Sequence, residues 1–287
     1  MSRQNGIHTA AVFALILGVC AITPTRAATI AHWQFSDGSA GDELSSTGGT
    51  QPIATDIVGG REMLSREGTQ TYSNDVAGPV PGPTSLEFDD KSGYAEQVTP
   101  GTGTELDDDT LDFAAGQAFT IEGFIKCDPQ LAIFFTNRSA NGIQLHVDGD
   151  GKLNFICDDG NNSRISWDDS SVTDNQWHHF AVIREGSSPS PGFSNGKMRI
   201  FVDYVEDTNP PDNGDSISSG SLANDAALTF GANENGGGHD YNGFLDDIRI
   251  SNEVLTPDQF LQTIPEPASL VLLGLACTAL LRRRRRV

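Results

Sequence analysis

Basic residues are scarce in this sequence of 287 residues. Its 18 Lys and Arg stand against 39 Asp and Glu, which gives a formal net charge of -21, and no basic stripe lies between the two chain ends. A strongly anionic surface repels a phosphate backbone. We therefore exclude nucleic acid as a partner.

Long apolar runs are absent except near the two ends. At the N-terminus, Arg3 precedes the apolar stretch 9–22, and Thr25-Arg26-Ala27 follows it. A charged start, a short apolar run and a small-residue cleavage site are the three parts of a secretory signal peptide. The sequence predicts a signal peptide over 1–27, removed by signal peptidase after export across the inner membrane. The alternative is a first helix of the fold.

At the C-terminus, three features follow one another. Pro265-Glu266-Pro267 breaks any helix, the apolar stretch 268–281 follows, and five arginines, Arg282, Arg283, Arg284, Arg285 and Arg286, come last. Cationic residues that flank an apolar segment resist translocation. The sequence predicts an apolar helix that enters the membrane and an arginine block that stops it on the cytoplasmic side.

This three-part tail, over 263–287, resembles the PEP-CTERM sorting signal of bacteria that make exopolysaccharide. The matching parts are the Pro265-Glu266-Pro267 motif, the apolar run and the terminal arginines. The resemblance implies that an exosortase recognises and removes the tail and that the protein reaches the cell surface or the extracellular biofilm matrix. An ordinary tail anchor is the alternative, and it places the middle of the chain on the same side.

Removal of both ends makes the chain more acidic. Seven of the 18 basic residues and Glu266 leave with the ends, so 11 basic and 38 acidic residues remain, a net charge near -27. Such a charge favours solubility and cation binding and opposes direct adsorption to anionic lipid.

Helical periodicity is nearly absent between the ends. Short runs rich in strand-forming residues instead alternate with Gly, Pro, Asn and Asp. Turn signals at this spacing predict an all-β fold of two packed antiparallel sheets, a sandwich or jelly roll, in one domain over 28–262. The predicted strands are 28–35, 84–89, 93–98, 118–127, 131–137, 142–148, 152–158, 164–168, 177–185, 197–204, 227–233 and 243–251.

Several of these segments, taken in order, resemble the LamG-like, concanavalin A-like jelly-roll family. The segments that carry the resemblance are AHWQF (31–35), LEFD (86–89), FTIEGFIK (119–126), QWHHFAV (176–182), MRIFVD (198–203), FGA (230–232), FLDDIRI (244–250) and LTPDQF (255–260). They extend over nearly all of 28–262. One departure is Asp203-Tyr204, where the family commonly has Asp-Gly, so we expect a turn of different length or shape.

Calcium is the first candidate ligand of such a domain. Asp37 and Asp42 follow the first predicted strand, and Asp246 and Asp247 lie at the start of the last one. Terminal strands of a jelly roll commonly lie near each other, and Ca²⁺ prefers carboxylate oxygens. The resemblance also implies a structural calcium ion. Alternatively, Asp246 or Asp247 pairs with Arg249 or caps a turn.

Two cysteines remain in the middle of the chain. Cys127 and Cys157 close predicted strands in a compartment where disulfides persist, so the sequence predicts a bridge between them, with two unpaired buried thiols as the alternative. His178 and His179 are adjacent on a strand, so their side chains face opposite ways and cannot grip one zinc ion together.

Catalytic motifs are missing. The chain has no paired-carboxylate strand of the glycosidase kind, no G-x-S-x-G, no H-E-x-x-H and no phosphate-binding loop, and Glu122 stands alone on its strand. We predict a non-catalytic binding or adhesion module for extracellular polysaccharide or a surface protein. Trp167, Tyr204 and Tyr241 are the candidate ligand-binding aromatics. The alternatives are a structural matrix protein without a discrete ligand and a polysaccharide-active hydrolase.

Overall fold

The structure is a computed structural model that describes residues 28–45, 52–78, 82–89, 93–100, 109, 111–187, 196–208, 217–233 and 238–261. The predicted signal peptide, the sorting motif, the apolar helix and the arginine block lie outside these residues. Within the described part of the chain, no helix has the length and apolar character needed to span a membrane.

The described residues form two antiparallel sheets. Sheet A contains β1 (Thr29–Trp33), β2 (Glu43–Ser45), β5 (Thr69–Ser73), β6 (Ser85–Phe88), β8 (Phe119–Cys127), β13 (His178–Arg184), β14 (Met198–Val202), β15 (Val205–Glu206) and β17 (Gly243–Ser251). Its order is β15-β14-β13-β8-β17-β6-β5-β2, and β1 pairs with β17.

Sheet B packs against sheet A. It contains β3 (Ala54–Thr55), β4 (Glu62–Glu67), β7 (Tyr94–Val98), β9 (Ala132–Thr136), β10 (Gly142–Val147), β11 (Leu153–Asp158), β12 (Ser163–Ser166) and β16 (Thr229–Phe230). Its order is β12-β11-β10-β9-β16-β7-β4-β3. The first and last strands of the domain are therefore neighbours in sheet A, as expected for a jelly roll.

The core between the sheets follows from alternation along the strands. Ile143, Leu145 and Val147 of β10 face inward. Aromatic rings from β1 and β16 also lie in the core, where Trp33 meets Phe230 edge-on with ring centroids 5.4 Å apart. Burial of alternate side chains holds each strand in register, because a shift of one residue would turn its apolar set outward.

The predicted all-β, two-sheet sandwich is confirmed. Each of the twelve predicted strands overlaps an observed one, and 148–151 joins β10 and β11 as a hairpin. The sequence missed β2, β3, β4, β5 and β15. The longest of these, β4 and β5, read EMLSRE and TQTYS and contain few apolar residues, because they lie toward the ends of the sheets and are stabilised by pairing rather than by burial on both sides.

The turn at Asp203-Tyr204 has two residues, since Val202 pairs with Val205. Both residues have positive φ, 48° at Asp203 and 69° at Tyr204, as in a type I′ hairpin turn. The departure from Asp-Gly therefore leaves a tight turn but places a bulky side chain where glycine is favoured. The Tyr204 ring stacks on His179 with centroids 4.4 Å apart and an interplanar angle of 11°.

Candidate ligand-binding site

Part of the outward face of sheet A is closed by the end of the described chain. Leu255 and Phe260 pack on Ala181, Ile183 and Phe201 as a small second core. This contact holds the segment 253–261, named here the terminal segment, against β8, β13 and β14. The segment thereby covers part of the outward side of these strands.

Beneath the terminal segment, Glu122 of β8 is fully buried. Its Oε1 accepts hydrogen bonds from Nε of Arg249 at 2.8 Å and from Nη2 of the same residue. Its Oε2 accepts one from the backbone N–H of Leu261 at 2.7 Å and lies 3.1 Å from Nε2 of His179. Both carboxylate oxygens of Glu122 are thus used to hold the strands and the terminal segment together.

The two histidines have different surroundings. His179 is buried under Tyr204 and beside Glu122, whereas His178 is half-buried, with Nδ1 2.8 Å from Asp203 and Nε2 3.0 Å from Asp174. The hydrogen bond to Asp203 is the main reason that the pKa of His178 is raised. Neither arrangement brings the two rings to one ion.

The four candidate calcium ligands do not form one set. Asp37 and Asp42 are exposed and accept backbone N–H bonds from Thr55 and Ser39, while Asp246 and Asp247 are fully buried in β17. Within the described ranges, no three His, Cys, Asp or Glu side chains are grouped as a metal site would require.

A β-bulge explains the position of Asp246 and Asp247. Leu245 and Ile248 both face the core, so the two aspartates between them both face outward, and Asp247 has φ of 47°. Asp246 Oδ2 accepts a bond from the backbone N–H of Ala77 at 3.1 Å, and Asp247 Oδ1 lies 2.7 Å from Nε2 of His32.

Each aspartate of this pair keeps one buried carboxylate oxygen without a hydrogen-bond partner, Oδ1 of Asp246 and Oδ2 of Asp247. Burial, the larger effect, and the neighbouring Asp247 raise the pKa of Asp246 to about 8. The two unpartnered oxygens are of the kind that Ca²⁺ accepts, but they are fewer than the six to eight oxygen ligands it takes. Asp37 and Asp42 do not share this environment.

The predicted disulfide is wrong, because Cys127 and Cys157 are both free and buried. The sequence placed them on strands expected to pair, but Cys127 lies on β8 of sheet A and Cys157 on β11 of sheet B. Packed sheets are about 10 Å apart, too far for the Cα separation of about 4.4–6.8 Å that a disulfide needs. Burial raises the pKa of Cys127 to about 11 and that of Cys157 further.

Two of the three candidate aromatics are core residues. Trp167 and Tyr241 are buried between the sheets, and the Tyr241 hydroxyl lies within hydrogen-bond distance of the carbonyls of Lys126 and Phe244. They cannot contact a ligand, so their assignment as binding residues is corrected. Tyr204 is half-buried, with its ring against His179.

A polar surface lies on the outward side of sheet B. Because Ile143, Leu145, Phe155 and Ile165 face the core, the residues between them face outward. We call this surface the polar face and define it by Arg138, which follows β9, and by Gln144 and His146 of β10, Asn154 and Asp158 of β11, and Arg164 of β12.

One half of the polar face is organised around Arg138. Its Nη2 donates to Asp158 Oδ2 at 2.7 Å, and its Nη1 lies 3.5 Å from Oε1 of Gln144. Nε2 of Gln144 lies in turn 3.4 Å from Nδ1 of His146. A carboxylate, a guanidinium, an amide and an imidazole therefore lie in a line across β9, β10 and β11.

The other half is organised around Asn154, which is fully buried. Its Oδ1 accepts hydrogen bonds from Arg164 Nε at 2.9 Å, Arg164 Nη2 at 2.5 Å and Ser166 Oγ at 2.5 Å. Its Nδ2 donates to Asp148 Oδ2 at 3.0 Å. The floor of the face is nearly buried, while Arg138 and Arg164 are half-exposed above it.

His146 of the polar face and the neighbouring Asp148 both have lowered pKa values. Burial, followed by the Arg164 charge, lowers the pKa of His146 to about 4, so its ring is neutral at pH 7. Burial acts to raise the pKa of Asp148, but hydrogen bonds from Lys152, Asn154 and Asp150 outweigh it and the pKa is lowered. A general acid requires the opposite shift.

The polar face was not predicted from the sequence. Its signal is present in GIQLHV and KLNFICD, where the positions between core residues are polar except for Ile156. Trp177 and Phe244, half-buried on the outward face of sheet A with centroids 6.1 Å apart, were missed as well.

Comparison with known proteins places this geometry in context. The family model for the concanavalin A-like lectin/glucanases superfamily matches residues 99–260, more than half of the chain, and the model for the PEP-CTERM protein-sorting motif matches residues 263–286. No curated protein matches the chain.

Several solved structures are similar. The binding domain of Paraclostridial Mosquitocidal Protein 1 aligns with a TM-score of 0.51 and 14% identity over 79% of this chain and 50% of that one. Domain 4 of AbnA, an extracellular GH43 arabinanase from Geobacillus stearothermophilus solved with arabinotriose, aligns with a TM-score of 0.49 and 17% identity over 82% of this chain and 97% of that one. The receptor binding domain of botulinum neurotoxin D aligns with a TM-score of 0.49 and 13% identity over 80% of this chain and 50% of that one. The chain spans about half the length of the two toxin domains, and these identities show the fold alone.

Proposed function

Because this chain belongs to the concanavalin A-like lectin/glucanases superfamily and carries a PEP-CTERM sorting motif, we propose that it is a non-catalytic polysaccharide-binding module. The motif marks it as an exosortase-sorted cell-surface protein. The observation that carries the proposal is the polar face of sheet B, which presents side-chain donors and acceptors across adjacent strands.

The shape of the polar face suits an extended chain of sugars. Neighbouring strands lie about 4.8 Å apart, so side chains on β9 to β12 repeat at a distance close to the length of one sugar ring. A saccharide is held by hydrogen bonds to fixed polar groups. On this face the half-exposed Arg138 and Arg164 are held in place by contacts with Gln144 and with the buried Asn154. The polar face therefore offers a pre-formed surface rather than a deep pocket.

The state of the carboxylates favours binding over hydrolysis. Asp158 is paired with Arg138, and Glu96, which faces outward on β7, lies 2.6 Å from Nε of Arg66. Asp148 has a lowered pKa and accepts backbone hydrogen bonds from Asp150 and Lys152. Glycoside hydrolysis needs one protonated carboxyl and a second available carboxylate about 5–10 Å away. The carboxylates on this face are instead engaged in structural contacts.

Binding to a panel of polysaccharides tests the proposal. Purified exported protein should bind at least one polysaccharide saturably and release no reducing sugar from it. Gln144→Ala should weaken this binding at least several-fold, because Gln144 contacts Arg138 and His146 in the face, and its melting curve checks that the domain is still folded. Lys126→Gln, on the outward face of sheet A beside Phe244, is the control and should bind like the parent.

Three results would contradict the proposal. Loss of binding in Lys126→Gln with normal binding in Gln144→Ala would move the site to sheet A. Release of reducing sugar would make the protein a hydrolase. No binding to any polysaccharide would favour a structural matrix protein that contacts other proteins or itself.

Export is proposed to follow the two end signals. Signal peptidase removes 1–27, the tail holds the protein in the membrane, and the exosortase then removes it, so that the domain reaches the cell surface or the extracellular matrix. Deletion of 265–286 should leave the protein untethered and abolish tail processing. Unchanged membrane retention and an unchanged processed size would argue against this route.

A structural calcium ion is proposed at Asp246 and Asp247. It would neutralise two adjacent buried carboxylates, each of which has one oxygen without a partner. Chelation with EDTA should lower the melting temperature of the exported protein, and Asp247→Asn should abolish the difference between calcium and EDTA. Asp42→Asn, at an exposed loop position, should keep it. Identical melting curves of the parent in calcium and EDTA would rule out the ion.

A further inference from the structure

Six of the ten arginine and lysine side chains in the described part of the chain form an ion pair with a carboxylate. The pairs in the described ranges are Arg61 with Asp56, Arg66 with Glu96, Lys126 with Asp75, Arg138 with Asp158, Arg199 with Glu206 and Arg249 with Glu122. Arg184, which is buried, instead donates to three backbone carbonyls.

Arg164 is different. It is half-buried on the polar face, and its only hydrogen-bond acceptor within the described ranges is the neutral Oδ1 of Asn154, which takes both Nε and Nη2. No carboxylate of the described residues lies within ion-pair distance of its guanidinium. Lys152, two positions before Asn154 on the same side of β11, also lacks a carboxylate partner there, with Nζ 3.5 Å from the carbonyl of Asp168.

The guanidinium of Arg164 is held in a fixed place. Asn154 cannot rotate, because its Nδ2 donates to Asp148 and to the carbonyl of Lys152 while its Oδ1 also accepts from Ser166. The Nε–Nη2 edge of the Arg164 guanidinium is therefore anchored on Asn154. Its Nη1 has no acceptor among the described residues. Since nearby His146 is neutral at pH 7, it does not add a competing positive charge.

We propose that Arg164 binds an anionic group on the polysaccharide, so that the ligand of the polar face is an acidic sugar polymer. This inference rests on the proposed function. A fixed, uncompensated guanidinium gains most from a carboxylate or sulfate oxygen, because charge-assisted hydrogen bonds are about twice as strong as neutral ones. A neutral sugar would leave the Arg164 charge without a counter-ion on a partly desolvated surface.

The net charge of the protein does not prevent this recognition. With a charge near -27 after removal of the ends, a polyanion is repelled at long range, but the Debye length is about 8 Å at 0.15 M ionic strength. The long-range repulsion between the acidic protein and an acidic polymer is therefore screened, while the short contact at Arg164 is screened much less. Added salt should strengthen or preserve binding up to physiological ionic strength, unlike binding by a basic surface.

The test compares acidic and neutral ligands on three proteins. The exported parent, Arg164→Gln and Lys197→Gln, an exposed control that loses the same charge, are titrated with polygalacturonate, its methyl ester, dextran sulfate and neutral dextran. The methyl ester removes the carboxylate charge from the same chain, and dextran sulfate tests sulfate as the source of the anion. Melting curves of the three proteins check that each is folded.

We expect the parent and Lys197→Gln to bind polygalacturonate or dextran sulfate at least about 10-fold more tightly than the uncharged partner polymer, and Arg164→Gln to lose that preference. Equal binding of charged and neutral polymers by the parent would overturn the inference and leave the proposed function intact. So would an unchanged acidic preference in a folded Arg164→Gln. Binding to none of these polymers would also overturn the inference, and the proposed function would fall with it only if the wider polysaccharide panel gave no binding either.

Discussion

Replacement of Glu122 by glutamine measures how strongly the terminal segment is fastened to the domain. Glu122 is fully buried and neutralises Arg249, and it accepts hydrogen bonds from Arg249 and Leu261. The amide introduced by Glu122→Gln would keep the shape of the side chain but not its charge. Removal of one partner of a buried ion pair costs about 3–5 kcal/mol, and because Arg249 keeps partial contact with solvent we expect about 3 kcal/mol here.

Urea unfolding of the exported protein measures this loss of unfolding free energy directly. With a slope of about 2–3 kcal/mol per M for a domain of this size, the midpoint should fall by about 1–2 M. The amide of Leu261, which donates to Glu122 at 2.7 Å, should also lose its protection against hydrogen exchange.

A partly exposed pair on the same sheet is the matched control. Glu206→Gln breaks the contact with Arg199, whose Nη2 lies 2.6 Å from Oε2, and should cost about 1 kcal/mol or less. If Glu122→Gln cost no more than Glu206→Gln, the buried pair would not fasten the terminal segment, and the reasoning from burial would be refuted.

Three further outcomes follow from single contacts. Tyr204→Gly should relieve about 1 kcal/mol of backbone strain but lose the ring stacked on His179, leaving the protein about 1–2 kcal/mol less stable by urea titration; a more stable variant would contradict this. Because the folded pKa of His146 is about 4 and the unfolded value about 6.5, stability should fall by up to about 3 kcal/mol as the pH drops from 6.5 to 4. His146→Gln should remove that part of the pH dependence, and an unchanged pH profile would count against it. A thiol-reactive dye should leave Cys127 and Cys157 unlabelled in the folded protein and label both once the protein is unfolded, with no reductant present. Failure to label the unfolded protein without reductant would indicate a disulfide.

The strands and the C-terminal sorting motif could be predicted from the sequence because both depend on local pattern. Strand segments such as 142–147 alternate between core and surface positions, and Gly and Asp at 148–151 mark the turn that joins two of them. The tail motif is a linear feature, and the matching family model covers the same residues. Short strands such as β4, the second strand from the edge of sheet B, have only two adjacent apolar residues, and their pairing with neighbouring strands is not visible in the local sequence.

The candidate site could be predicted only in part. Outward positions such as Gln144 and Asn154 follow from the two-residue period of a strand, but their partners come from other strands and loops. Trp167 and Tyr241 look like ligand-binding aromatics in the sequence, because an aromatic residue in a loop-rich region can face either the core or solvent. Packing between the sheets decided that both are buried.

Composition, strand alternation and the C-terminal motif need no long-range contact, so they alone identify this chain as acidic, all-β and carrying a sorting motif. Tertiary structure decided the rest. Opposite sheets separate Cys127 from Cys157, a bulge turns Asp246 and Asp247 to the same side, and pairing of β11 with β12 anchors Arg164 on an amide rather than a carboxylate. Each of these depends on which distant residues meet, and local pattern does not encode that.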